Sequence, residues 1–217
     1  MKTILSVLGF SFISIFAANA QTTYGLKAGM NFSKITERKF QNYTPSYFVT
    51  GFAEYPLTSR LSIQPGLSLQ GKGSKTIAPG SIMDPDIKGD YKGTMNTMSI
   101  EIPINMIYYV PVGYGDIFLS AGPYIGYNIS GKIKESNYEP GSTQERSSDI
   151  KFSGNNKYMN RIDAGVNFGL GYKLKNGLLF QAGYGLGLTD LNGIKNVSLP
   201  SSSYRTFNFG VGFQFWD

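Results

Sequence analysis

Histidine and cysteine are both absent from the 217 residues. Without them, neither a thiol–imidazole pair nor a histidine-based triad can form, which excludes two common schemes of nucleophilic catalysis. Serine–lysine and carboxylate schemes stay open in principle, but no group of residues points to one. The missing cysteine also excludes disulfide bonds and a lipidated N-terminal cysteine. We therefore expect a protein that is not an enzyme and needs no cofactor.

Charged residues and long apolar runs are both scarce. Only 16% of the residues are charged, whereas a soluble surface carries about 25–35%. Beyond the N-terminal segment, no run of about 20 apolar residues could form a membrane-spanning helix. This combination is typical of a transmembrane β-barrel, because its lipid-facing residues alternate with polar ones.

The formal net charge is +6, but the basic residues are scattered along the chain. Without a basic cluster or stripe in the sequence, a nucleic-acid partner is not expected. Asp84, Asp86 and Asp90 have a spacing that could suit calcium, which prefers oxygen ligands. Pro85 and the missing bidentate glutamate do not fit such a site, so we interpret the segment as a solvated loop without a metal.

Residues 1–20 have the three parts of a cleaved signal peptide. Lys2 provides the positive charge, residues 4–16 form an apolar segment too short to span a bilayer, and Ala18-Asn19-Ala20 matches a cleavage site. An uncleaved anchor is the alternative. The sequence thus predicts cleavage after Ala20, export to the outer membrane, and one β-barrel domain over residues 21–217.

Eight segments alternate between apolar and polar residues, which is the side-chain period of a β-strand. They are 24–33, 47–55, 61–70, 98–108, 117–127, 162–172, 178–188 and 206–215. Short connections alternate with long ones, of which 71–96 and 131–160 are the longest. Outer-membrane barrels have an even number of antiparallel strands, short periplasmic turns and long extracellular loops. We therefore predict an all-β fold, an eight-stranded antiparallel up-and-down transmembrane β-barrel.

Two features of these strands need a separate interpretation. Segment 47–55 carries apolar residues on both faces. We predict that one alternate set of its residues points outward: Tyr47, Val49, Gly51, Ala53 and Tyr55. Pro65, Pro103 and Pro123 fall within strands, where proline cannot donate a ladder hydrogen bond. Because a closed barrel has no free edge, we expect these prolines at bulges or near strand ends.

The direction of the two faces distinguishes a membrane barrel from a soluble one. A soluble, lipocalin-like barrel packs its apolar face inside, whereas a membrane barrel turns it towards lipid. Many glycines fall on the polar face, which suits the crowded interior of an eight-stranded barrel. Aromatic residues lie near the strand ends and suit the interfacial girdles. These are Tyr24, Tyr55, Tyr108, Tyr109, Tyr127, Tyr172 and Phe215. Both features favour the membrane barrel.

Five charged residues fall on the polar face, where we expect them to line the barrel interior: Lys27, Glu54, Glu101, Arg161 and Asp163. A buried charge is costly unless it is paired. We therefore expect the two cations to pair with the three carboxylates as a structural filling of the bore. An ion or proton path through the barrel is the functional alternative.

Five short motifs carry a family resemblance over the mature chain. They are Glu54-Tyr55-Pro56-Leu57, Leu61-Ser62-Ile63-Gln64-Pro65-Gly66-Leu67, Glu101-Ile102-Pro103, Ala121-Gly122-Pro123-Tyr124 and Gly169-Leu170-Gly171-Tyr172. With them the chain resembles the PorT-like outer-membrane barrel proteins of the Bacteroidetes. The resemblance implies an outer-membrane barrel without catalytic residues, in a family of which some members take part in protein secretion.

Together these observations predict a non-enzymatic barrel that acts through its extracellular loops or its wall. Its expected partners are outer-membrane lipid and a protein of the envelope or of the secretion machinery. The alternative is a narrow pore for small solutes.

Overall fold

The structure is a computed structural model that describes residues 22–36, 39–79, 90–139, 142–154, 157–193 and 200–215. The segment 1–20, with its predicted cleavage site, lies outside these residues, as do Asp84 and Asp86. The strands are β1 (Thr23–Ile35), β2 (Gln41–Asn42), β3 (Thr44–Pro56), β4 (Leu61–Pro79), β5 (Asp90–Val112), β6 (Gly115–Glu139), β7 (Ser142–Asp149), β8 (Ile162–Leu174), β9 (Leu178–Gly187) and β10 (Tyr204–Phe215). No helix within the described ranges is long and apolar enough to cross a membrane.

Eight strands close into a ring in the order β1, β3, β4, β5, β6, β8, β9 and β10, and each is antiparallel to both neighbours. The ring is completed by β1 and β10, which pair from Tyr24–Phe215 to Ile35–Tyr204. The predicted fold class, an eight-stranded antiparallel barrel, is confirmed. We call the end with the short connections 57–60, 113–114 and 175–177 the turn end, and the opposite end the loop end.

Strand pairing continues beyond the ring at the loop end, where the sequence predicts long loops. There β4 and β5 pair as far as Pro79–Asp90, and β6 continues to Glu139 and pairs with β7. Together with β2, these extensions form a sheet in the order β2, β4, β5, β6, β7, which we call the loop-end sheet. The prediction of loops at 71–96 and 131–160 is therefore wrong for the residues that pair in this sheet. Both faces of these extensions carry polar residues, so the apolar alternation ends there although the backbone pairing continues.

Alternate side chains of the ring strands point outward and inward. In β3, Tyr47 is 54% exposed whereas Phe48 is only 3% exposed, so the outward assignment of this strand is confirmed. One girdle residue is an exception: Tyr108 points outward, but Tyr109 points into the barrel and its hydroxyl donates to Glu54. Successive residues of a strand face opposite sides, so the two tyrosines could not both join the outer wall.

The three prolines within strands interrupt the ladder without shifting its register. Beside Pro65, the pairing of β3 with β4 stops at Phe52–Gly66 and resumes at Tyr55–Ile63. Pro103 and Pro123 interrupt the next two ladders in the same way, between Pro65–Ile104 and Ser68–Glu101 and between Pro103–Tyr124 and Met106–Ala121. The prediction that these prolines lie at bulges or strand ends is therefore wrong. Each proline removes hydrogen bonds locally, within a strand that keeps its register on both sides.

Glycines make room for the large side chains of the bore. Gly25 and Phe52 are cross-strand neighbours, and a Cβ at Gly25 would lie within 2.7 Å of the phenyl Cε1 atom. Gly171 and Phe118 are related in the same way, with the ring in the space that a side chain of Gly171 would need. The inward position of these glycines lets aromatic and charged side chains fill a narrow interior.

Candidate functional site

Lys72 lies at the centre of an ion-paired group inside the barrel. Its Nζ atom is 2.6 Å from Glu101 Oε1 and 2.8 Å from Asp163 Oδ2, and all three side chains are buried. The ammonium also lies 4.4 Å from the ring centroid of Tyr124, whose hydroxyl donates to Asp163 at 3.3 Å. We call Lys72, Glu101 and Asp163 the ion triad; it connects β4, β5 and β8 across the bore.

Lys72 is an interior residue that the apolar alternation of the sequence does not predict, because this alternation ends at Gln70. Residues 71–79 continue β4, and Gln70, Lys72 and Ser74 keep the inward parity of that strand. The polar side of the alternation could have identified it, since the inward set of β4 stays polar after the outward set stops being apolar. The cation that pairs with Glu101 and Asp163 is therefore Lys72.

Lys27 and Glu54 belong to a second buried group, which lies nearer the turn end and is connected by Gln64. Lys27 Nζ donates to Gln64 Oε1 at 2.8 Å, and Gln64 Nε2 donates to Glu54 Oε2 at 2.9 Å. The Tyr109 hydroxyl lies 2.9 Å from both oxygens of Glu54. The amide thus connects the two charges, so that each has a hydrogen-bonded partner without a direct ion pair.

Arg161 lies apart from the other four predicted interior charges. Its Nη1 atom donates to the Tyr127 hydroxyl at 2.9 Å, and its guanidinium carbon lies 5.3 Å from the Tyr127 ring centroid and 5.7 Å from that of Phe152. Tyr127 is on the outer wall. Because Arg161 precedes the first paired residue of β8, strand alternation does not fix its direction.

Two apolar clusters lie on either side of the ion triad. The turn-end cluster consists of Phe52, Ile107, Phe118 and Leu179, with Tyr109 packed against it. The loop-end cluster consists of Ile35, Met95, Ile150, Phe152, Met159, Leu191 and Tyr204, with Ile133 and Tyr158 packed against it. Three members of the loop-end cluster come from the connection between β7 and β8, which folds back onto the barrel. The bore therefore holds the ion triad between two apolar clusters, while Lys27 and Glu54 lie at the level of the turn-end cluster, where they contact Phe52 and Tyr109.

Cavities with polar residues in their lining remain in the middle of the bore and at its turn end. One of about 80 Å³ is lined by Lys27, Gln64, Gln70, Lys72 and Glu101, among others. Another of about 290 Å³ at the turn end is lined by Glu54, Asp116, Lys173 and Gln214, among others. Cavities lined by polar groups and of this size can hold water. In the described part of the chain, no group of three or more acidic residues is arranged to hold a metal ion.

The loop-end sheet has an inner and an outer face. On the inner face, the Tyr91 hydroxyl donates to Glu135 Oε1 at 2.9 Å. Burial and the neighbouring carboxylate raise the pKa of Tyr91 to about 12, so this hydroxyl stays a donor at physiological pH. Among the described residues, β7 pairs only with β6, and its side chains from Glu145 to Asp149 are exposed. The second edge of β7 thus has no strand partner in the part of the chain that the structure describes.

A closed antiparallel ring with an apolar outer wall and a charged interior defines a transmembrane β-barrel of the outer-membrane type. The chain belongs to the family described as "Outer membrane protein beta-barrel domain", whose match covers residues 18–193. Its partners therefore include the lipid of the outer membrane.

Solved structures of other outer-membrane proteins are similar. Ail, the attachment invasion locus protein of Yersinia pestis, is 12% identical with a TM-score of 0.42, over 90% of this chain and 99% of that one. Neisserial surface protein A is 15% identical with a TM-score of 0.43, over 89% and 97%. The N-terminal barrel domain of Pseudomonas aeruginosa OprF is 14% identical with a TM-score of 0.35, over 91% and 100%. Comparison with curated protein sequences gives no match.

Proposed function

We propose that this protein is a non-enzymatic interaction barrel that acts through the surface of its loop end. The observation that carries the proposal is the layered filling of the bore, in which the ion triad lies between two apolar clusters. Such an interior stabilises the barrel and leaves little room for a solute. In outer-membrane barrels the long connections are extracellular, which puts the loop-end sheet outside the cell.

The free edge of β7 is the element that we assign to a protein partner. An extended segment of another protein can add to an exposed sheet edge through main-chain hydrogen bonds. Edge strands of this kind are otherwise usually covered or blunted. The five-stranded sheet holds this edge away from the membrane, where a partner can approach it.

The resemblance to PorT-like barrels supports a partner in the envelope or in the secretion machinery. It also fits an exported chain whose signal peptide is cleaved after Ala20. We therefore propose that the barrel anchors the loop-end sheet in the outer membrane for such a partner. N-terminal sequencing of the protein from outer membranes should give Gln21 as the first residue, and a retained leader would contradict this.

A narrow pore for small solutes is the second candidate, since polar cavities lie within the bore and at its turn end. Planar-bilayer recordings of the purified protein separate the two candidates. We expect no steady conductance under conditions in which a porin, reconstituted in parallel, gives open channels. A stable, reproducible current through the wild-type protein would overturn the proposed function and favour the pore.

The partner can be tested at the β7 edge itself. Ser147→Pro removes a backbone donor and should prevent strand addition, since proline cannot donate to a ladder. Crosslinking and purification from outer membranes should recover the same envelope protein with the wild type and with the control Ser59→Pro at the turn end, and lose it with Ser147→Pro. Equal recovery with both variants would exclude the β7 edge.

A further inference from the structure

Four lysines come together on the outer face of the loop-end sheet, although they are far apart in sequence. The register pairs Thr94 with Lys75 on one side and with Lys134 on the other. Lys92 lies two residues before Thr94 on β5 and is the neighbour of Ser136. Lys132 lies two residues before Lys134 on β6 and is the neighbour of Asn96. Neighbouring strands are about 4.8 Å apart, so Lys75 and Lys134 lie roughly 10 Å from each other. We call these four lysines the lysine patch.

The lysine patch continues the lipid-facing wall beyond its apolar part. On β5, the outward positions run from Ile102 and Ile100 to Asn96 and Lys92. On β6, an irregularity in pairing beside Met98 changes the parity, so that Ile129 is followed by the outward-facing Lys132. These two residues are three positions apart, about 10 Å along a strand. The patch therefore lies where the apolar wall leaves the membrane.

Among the residues whose side chains the structure describes, none forms an ion pair with an ammonium group of the patch. Lys92, Lys132 and Lys134 are exposed, and Lys75 is half-buried. Acidic residues also lie on this face: Asp149 on β7 is the cross-strand neighbour of Lys132, and Glu145 on β7 is that of Ser136. Across the three central strands, the patch thus combines lysines with the polar side chains of Thr94, Asn96 and Ser136, and with Ile77, the cross-strand neighbour of Lys92 on β4.

The turn end of the same three strands has a different character. The outward positions there are occupied by Leu61 on β4, Tyr108 on β5 and Ile117 on β6, none of them charged. On the outward-facing strand positions of β4, β5 and β6, the lysines are thus at the loop end, whereas the exposed cations of the turn end, such as Arg60 and Lys175, lie in its connections. A charge asymmetry of this kind matches a bilayer whose two leaflets carry different headgroups, with the more anionic one at the loop end.

We propose that the lysine patch binds the phosphorylated headgroups of glycolipid in the outer leaflet. Lysine is a common binder of phosphate, and each basic residue near an anionic membrane surface contributes to attraction. The acyl chains of such a lipid would lie against the outward residues of β5 and β6, and its phosphates would reach Lys92, Lys132 and Lys134. Contact with both parts is what selects a lipid over free phosphate.

A second cationic position on another side of the barrel supports this proposal. Lys34 and Arg205 are cross-strand neighbours in β1 and β10, both on the outward parity at the loop end. Like charges directly opposite each other destabilise a strand pair, and an anion bound between them would relieve the repulsion. Lys34 lies 4.9 Å from the Tyr43 ring, and Arg205 donates to backbone oxygens of Gly187 and Tyr204.

Native mass spectrometry of the folded protein in neutral detergent can test the lysine patch. The probes are diphosphorylated lipid A, the same lipid without its phosphates, and inorganic phosphate. We expect the wild type to bind the phosphorylated lipid far more tightly than the dephosphorylated one. Lys92→Gln/Lys132→Gln/Lys134→Gln should weaken that binding by about fivefold for each lysine, or on the order of a hundredfold in total.

A matched control removes three cations from other places, with Arg60→Gln/Lys151→Gln/Lys175→Gln. This variant should bind the phosphorylated lipid as the wild type does, and heat-modified migration on gels should show that both variants are folded. Equal binding of the two lipids by the wild type, or undiminished binding by the patch variant, would overturn the proposal. So would inorganic phosphate that binds as tightly as the lipid. The assay needs no protein partner and no conductance, so its outcome is independent of the proposed function.

Discussion

Glu101 and Gly126 are cross-strand neighbours, and the Glu101 side chain passes through the space that a side chain of Gly126 would fill. A Cβ at Gly126 would lie 2.9 Å from Glu101 Cγ and 3.2 Å from Oε1. This glycine therefore gives the carboxylate its route to Lys72. The ion triad depends on a residue that contributes no charge to it.

Gly126→Ala should destabilise the barrel because the added methyl group displaces Glu101 from Lys72. Overpacking in a filled interior costs about 1–3 kcal/mol, and unfolding in urea in the presence of lipid vesicles would measure it. Gly51→Ala is the control, since its Cβ would meet only Leu26 at an ordinary 3.7 Å. Equal stability of the two variants would show that Glu101 can be moved without loss.

Lys72→Met should lower the free energy of unfolding by more than the removal of either carboxylate of the ion triad. It leaves Glu101 and Asp163 buried without their cation, a loss of about 3–5 kcal/mol. Glu101→Gln should cost about 1.5–3 kcal/mol, the range for a hydrogen bond to a charged group, since Asp163 still pairs with Lys72. Adding Glu101→Gln and Asp163→Asn to Lys72→Met should restore part of the free energy of unfolding. No recovery in the triple variant would mean that Lys72 acts by packing alone.

Phe209→Arg should destabilise the barrel through its contact with lipid. Phe209 is on the outer wall, midway along β10, and arginine at the middle of the membrane costs about 2–4 kcal/mol. Leu188→Arg, just beyond the loop end of β9, should cost only about 0–1 kcal/mol because its charge can reach water. Folding into vesicles over a urea gradient gives both values. Equal costs would contradict the assigned depth of these residues.

Protease added to intact cells should cut the chain at the loop end and leave the turn end intact. We expect cleavage in the connections between the paired strands of the loop-end sheet, within 80–89 or at 140–141, since loop tips are the preferred sites of proteolysis. The turn at 173–177 should be protected by the membrane. Mass spectrometry of the released fragments identifies the sites, and cleavage only at that turn would mean that the barrel has the opposite orientation.

The eight ring strands could be predicted from the sequence because lipid and a narrow bore impose opposite polarity on successive residues. That constraint ends where the wall leaves the membrane. The alternation of the sequence therefore does not predict the extension of β4 or any part of β7. Lys72 lies in the extension of β4 and was therefore not predicted to face the interior. Arg161 was predicted to pair with interior carboxylates, but it precedes the pairing of β8 and contacts Tyr127 instead. The partners of Glu101 and Asp163 depend on packing across the bore, which sequence alternation does not determine.

The pairing of β1 with β10 also constrains how the barrel can form. Tyr24 and Phe215 are partners although nearly the whole chain separates them. Pairs so distant in sequence fold slowly, because the entropy of closing the intervening chain opposes them. Until β10 is available, β1 has an open edge, so the newly exported polypeptide must be kept from aggregating while it waits for its last strand. Closure of this seam is then the step at which folding and insertion are completed together.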